Sequence, residues 1–70
     1  MITAKQYIDP SAAEYHYWSK RVKVVDELQG CYDATINRHL TTFEGFLVEV
    51  IPIDAPESRI RVSADNVFLE

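Results

Sequence analysis

From Cys31 onward the chain is a series of short runs in which apolar and polar residues alternate, separated by polar turns and prolines. This punctuation restricts it to a small all-β barrel or sandwich. Residues 31–36 place Tyr32, Ala34 and Ile36 on one face. Residues 38–42 read as a polar connection, and 43–51 as the longest and most buried strand, with Phe46, Val48 and Val50 opposing Gly45, Leu47, Glu49 and Ile51. Pro52 and Pro56 bracket an acidic loop through Asp54 and Glu57, since proline leaves a ladder amide unpaired and belongs at strand ends. Residues 59–62 alternate cleanly, 63–66 form a tight polar turn, and 67–69 close the chain as a last strand.

The N-terminal third carries helix signals. Thr3-Ala4-Lys5-Gln6 fits a capping box, with Ile2 and Tyr7 placed as a hydrophobic staple, and predicts a short helix over 4–8. Asp9-Pro10 interrupts it, and Ser11-Ala12-Ala13-Glu14 offers a second capping box that predicts a helix to about Ser19. The segment after it admits two readings. On a helical wheel, Tyr15, Trp18, Val22, Val25 and Leu28 share one arc and Gly30 supplies a stop, which gives one long helix over 11–29. Three valines within residues 22–25 favour a strand instead, over 21–26.

With 21–26 as a strand the count is five: 21–26, 31–36, 43–51, 59–62 and 67–69. That order, with a short helical turn before the final strand, resembles SH3-like small barrels of the Tudor and KOW type over residues 20–70. The residues that carry the resemblance are Val22-Lys23-Val24-Val25 before a Gly30 loop, Tyr32 to Ile36, Val48-Glu49-Val50, and Val62 to Leu69. The loop departs from nucleic-acid-binding KOW modules, because Gly30 has acidic neighbours in Asp26, Glu27 and Asp33. The expected fold is therefore mostly β, a five-stranded SH3-like antiparallel barrel over 20–70 behind a helical N-terminus over 1–19, as one domain. The alternative is α+β, with the long helix packed on a three- or four-stranded antiparallel sheet.

Seventy residues allow one small core, and a single cysteine allows no internal disulfide. A core of this size supplies only about 3–5 kcal/mol, so good packing or a partner must provide the rest. No long uncharged apolar run or signal-like leader is present, and the expected location is the cytoplasm. The net charge of −4 is unevenly spread: residues 1–23 carry Lys5, Lys20, Arg21 and Lys23 against Asp9 and Glu14, whereas 24–70 carry nine carboxylates against Arg38, Arg59 and Arg61. An acidic domain repels phosphate backbones at long range, which disfavours nucleic acid as a general partner.

Tyr15, His16, Tyr17 and Trp18, followed by Lys20, Arg21 and Lys23, form the densest aromatic and cationic cluster. Such a cluster suits a protein-binding hot spot, a base-stacking patch, or plain packing of Trp18 on the sheet. Cys31 with His39 and Asp33 offers the ingredients of a nucleophilic triad, but nothing activates the thiol and no oxyanion loop is visible. His16, Cys31 and His39 lack paired metal spacing, and Asp54 with Glu57 lacks further oxygen ligands for a hard cation. No Gly-rich phosphate loop exists, and neither catalysis nor a cofactor is expected.

The function these residues suggest is a non-enzymatic module docking on another protein, through Tyr15, Tyr17, Trp18 and Arg21 with Asp54, Glu57 and Arg59 as rim contacts. Two alternatives stand beside this adaptor role. In one, Asp26, Glu27, Asp33, Glu44, Glu49, Asp54, Glu57 and Asp65 form a carboxylate row that blocks a nucleic-acid-handling enzyme, as small phage-type inhibitors do. In the other, the edge at 59–62 pairs with a second copy as a structural subunit.

Overall fold

The structure is a computed structural model that describes residues 2–8 and 14–70, with 14–19 described by backbone alone. The element order is α1 (Ala4–Tyr7), β1 (Glu14–Asp26), β2 (Gly30–Thr42), β3 (Gly45–Pro52), β4 (Ile60–Ser63), a 3-10 turn η1 (Ala64–Asn66) and β5 (Val67–Leu69). The capping box forms as its spacing requires. The Gln6 amide donates to Thr3 Oγ1 at 3.2 Å, and Thr3 N donates back to Gln6 Oε1 at 2.9 Å. Ser63 caps η1 in a similar way, accepting from the Asp65 amide at 3.3 Å.

All five strands belong to one antiparallel sheet in the order β4-β3-β2-β1-β5. Laid flat, this order would hold β4 and β5 roughly 19 Å apart. Only the three residues of η1 join them, a rise of about 6 Å, so the sheet has to curl into a small barrel. Side chains at alternate positions then face a common interior: Val22 and Val24 of β1, Ala34 and Ile36 of β2, Val48 and Val50 of β3, and Val67 and Leu69 of β5. Ala4, Ile8 and Ala64 complete the core from α1 and η1. The N-terminal segment also covers β5, through a Thr3–Phe68 bridge and a Leu69 amide donating to the Ile2 carbonyl at 2.9 Å.

Two expectations are corrected. The helical N-terminus does not extend over 14–19, nor does a long helix run through 29, because Glu14 to Asp26 is one strand. Glu14, Tyr15 and His16 pair with Leu40, His39 and Arg38, so the hairpin with β2 satisfies the backbone that a helix would have satisfied within itself. The remainder of that expected helix, residues 11–13, lies outside the described residues. Residues 38–42 are likewise strand rather than connection, paired to β3 from Arg38↔Glu49 through Thr42↔Gly45. As a result β1 and β2, at 13 residues each, are longer than the eight-residue β3.

The register shifts at Asn37, between Ile36↔Val50 and Arg38↔Glu49. One extra residue on β2 exchanges its two faces, so that His39 is buried beside Val48 while Arg38 meets Glu49 outside the core. His39 sits edge-on to Phe46, with ring centroids 5.4 Å apart.

Candidate docking surface

The β1–β2 turn is built around one carboxylate. Asp26 Oδ1 accepts from the Leu28 amide at 2.7 Å and the Gln29 amide at 3.1 Å, and Gly30 follows at φ 79°, where a side chain is disfavoured. These bonds hold Leu28 95% exposed. A hollow lies on each side of the turn. The first, about 260 Å³, lies between Gln29, Tyr32 and Asp33 of the hairpin and Pro52, Asp54, Ala55, Ser58 and Ile60. The second, about 310 Å³, lies between Val25 to Leu28 and Val62, Ser63 and Asn66.

Tyr32 lines the first hollow, and its hydroxyl is buried without a hydrogen-bond partner. Burial, with the Asp26 charge adding to it, raises its pKa, so it stays protonated. The carboxylates beside the turn, Asp26, Glu27, Asp54 and Glu57, make no ion pair with a described residue.

A second exposed apolar residue stands at the other end of β2. Thr42 Oγ1 donates to the Gly45 carbonyl at 3.2 Å and accepts from the Glu44 amide at 3.1 Å, and Gly45 follows at φ 133°. Phe43, between them, is 99% exposed.

The outer face of the sheet is laced by ion pairs. Arg21 contacts Glu70 at 2.8 Å and Asp33 at 3.6 Å, and Lys23 contacts Asp33 at 3.6 Å. Glu49 is only 6% exposed. It accepts from Asn37 Nδ2 at 2.8 Å and lies 3.4 Å from Arg38 and 3.7 Å from Arg59. The Asn37 hydrogen bond first, then the two guanidinium charges, outweigh burial and hold its carboxyl below the ordinary range.

The residues named from the sequence therefore separate. Tyr15 pairs with His39 toward the Phe43 end of β2, and Tyr17 and Trp18 lie in the irregular stretch between His16 and Lys20. Arg21 and Arg59 are engaged in the ion pairs of the outer face. Asp54 lines the first hollow, and Glu57 is exposed in the same loop. The carboxylate row is also divided: Asp33 and Glu49 are paired on the sheet, Asp65 meets Lys5 at 3.6 Å, and Glu44 lies at the Phe43 turn. Cys31 and His39 stand eight positions apart on one extended strand, too far for proton transfer. Among the described residues no group of three or more His, Cys, Asp or Glu side chains is placed to hold a metal ion.

Leu28 and Phe43 went unmarked in the sequence because a helix arc and a strand respectively had absorbed them. Their signal was a large apolar side chain set among Asp26, Glu27 and Gln29, and among Thr41, Thr42 and Glu44. Comparison with known proteins finds no matching family model, curated protein or solved structure. Among the described residues no helix is long and apolar enough to cross a membrane.

Proposed function

We propose that this chain is a non-enzymatic interaction module, a cytoplasmic adaptor akin to the SH3-like barrels of Tudor and KOW type, that docks on another protein. The observation that carries this reading is the pair of fully exposed apolar side chains, Leu28 and Phe43, each on a turn tied by its own side-chain hydrogen bonds. Neither residue serves the core. A turn whose backbone is already ordered loses little freedom on binding, which helps a few anchors to dominate an interface. The hollows are at or below the lower end of small-molecule pockets, roughly 300 Å³, which favours a macromolecular partner.

A second reading draws on Asp26, Glu27, Asp54 and Glu57, which lie on the turn and its facing loop without an ion pair to a described residue and suit an inhibitor that occupies a basic groove. The test is affinity capture from host lysate at low and high salt with the wild type, Leu28→Ser and Phe43→Ser. Circular dichroism first establishes that both variants fold. A partner that is lost with one variant is the expected result. Capture unchanged by both substitutions overturns the docking reading, and a salt-labile nucleic-acid enzyme retained by both transfers it to the inhibitor.

A further inference from the structure

We propose that the surface around the β1–β2 turn receives an extended segment of a partner protein in which basic and aliphatic residues alternate. The inference rests on the docking reading above and names the chemistry of its ligand. Leu28 and the half-exposed Val25 form an apolar ridge beside the second hollow, whose far wall is Val62. Carboxylates flank that ridge, with Glu27 on the turn itself and Asp54 across the first hollow, in the loop that also carries Glu57. An apolar strip with a rim of one charge selects a partner segment that is apolar along its centre and positive along its edges.

The first hollow adds a polar requirement. A lysine or arginine side chain entering it meets the Asp54 carboxylate on its wall. Two other occupants fit less well. A second copy offering its Phe43 turn would bring Glu44 against Asp54 and Glu57, and nucleic acid would bring phosphates against the same groups.

The test uses three synthetic peptides, alternating Lys-Leu, alternating Glu-Leu and alternating Lys-Ser, titrated into the nitrogen-15-labelled full chain and read by amide chemical shifts. The Lys-Leu peptide is expected to move amides of residues 26–33 and 53–59, and to bind about fivefold or more weakly when salt rises from about 0.05 to 0.3 M. Leu28→Ser should weaken it about tenfold, and the pair Glu27→Gln with Asp54→Asn about three- to tenfold, mostly through the association rate. Equal binding of the Glu-Leu peptide, full binding of Lys-Ser, or silence with every peptide overturns the proposal. Shifts confined to residues 41–46 also overturn it, but leave the docking reading standing. Loss of that broader reading shows separately, as capture indifferent to both Leu28→Ser and Phe43→Ser.

Discussion

The two ends of β2 carry the same device in different surroundings. Each is a tight turn held by one side chain, Asp26 or Thr42, followed by a glycine at positive φ, and each presents one apolar residue wholly to solvent. At the Leu28 end the turn sits between two hollows, with Glu27 on it and Asp54 across the first hollow, neither in an ion pair with a described residue; at the Phe43 end it finishes an arm of β2 and β3 whose nearest charge in sequence is Glu44. Presentation alone therefore gives adhesion, and it is the neighbours of the turn that give selectivity.

Glu49 is the support that the Phe43 arm has and the Leu28 turn lacks, since it joins Asn37 and Arg38 of β2 to Arg59 just before β4. Glu49→Ala is expected to have the largest effect, about 2–3 kcal/mol in urea unfolding at neutral pH, by removing the buried acceptor of the Asn37 amide and the carboxylate that faces Arg38 and Arg59. Its acid dependence follows in sign. The folded carboxyl titrates below the unfolded one, so its stabilisation is complete above the unfolded value of about 4.3 and is lost as pH falls through the lower folded value. The stability gap between wild type and Glu49→Gln should thus narrow progressively as pH falls below the ordinary carboxylate range. A gap that persists would mean the ion pairs contribute nothing.

The glycines come next. Gly30 lies near the left-handed well that asparagine tolerates, whereas Gly45, at φ 133°, lies beyond it. Gly45→Asn should cost about 1–3 kcal/mol and Gly30→Asn under about 1 kcal/mol, although neither added Cβ meets a neighbour within 4 Å. Equal costs in denaturant midpoints would remove this distinction between the turns. Asp26→Ala frees two amides and should cost about 1–2 kcal/mol, against about 0.5–1 kcal/mol for Thr42→Val. The smallest effects on stability belong to Leu28→Ser and Phe43→Ser, within about 0.5 kcal/mol by thermal unfolding, because neither side chain leaves an interior. A larger loss in either would show that the residue supports the fold.

The period-2 pattern was legible wherever one face of a strand is buried: Val22 with Val24, Ala34 with Ile36, and Val48 with Val50 stand inward as their alternation requires. The cap at Thr3 and the turn before β5 were legible too, since each depends on a few adjacent residues. The start of β1 was not, because Tyr15 to Trp18 show no alternation and a capping-box sequence precedes them, and strand pairing with residues 38–40 overrides that local signal. The arm at 38–42 escaped for a related reason: much of it is exposed, and its one buried residue is the histidine at 39. Of the expected contact residues, Asp54 lines the hollow beside the Leu28 turn and Glu57 is exposed in the same loop, while Arg21 and Arg59 are bound in ion pairs to carboxylates remote in sequence, which no local pattern reveals.

The single extra residue at Asn37 works like a frame change in a message. Before it, even-numbered side chains of β2 face inward at 34 and 36; after it, the odd-numbered His39 does. Ironing out the bulge with Asn37 kept would leave every letter of the arm intact yet reverse its meaning, turning Arg38 toward the valines and His39 toward water, whereas deleting Asn37 restores simple alternation and keeps both faces. The arm that carries Phe43 and the barrel that carries Leu28 are thus written in opposite phases, and an exchange of residues between them has to be shifted by one position to be read correctly.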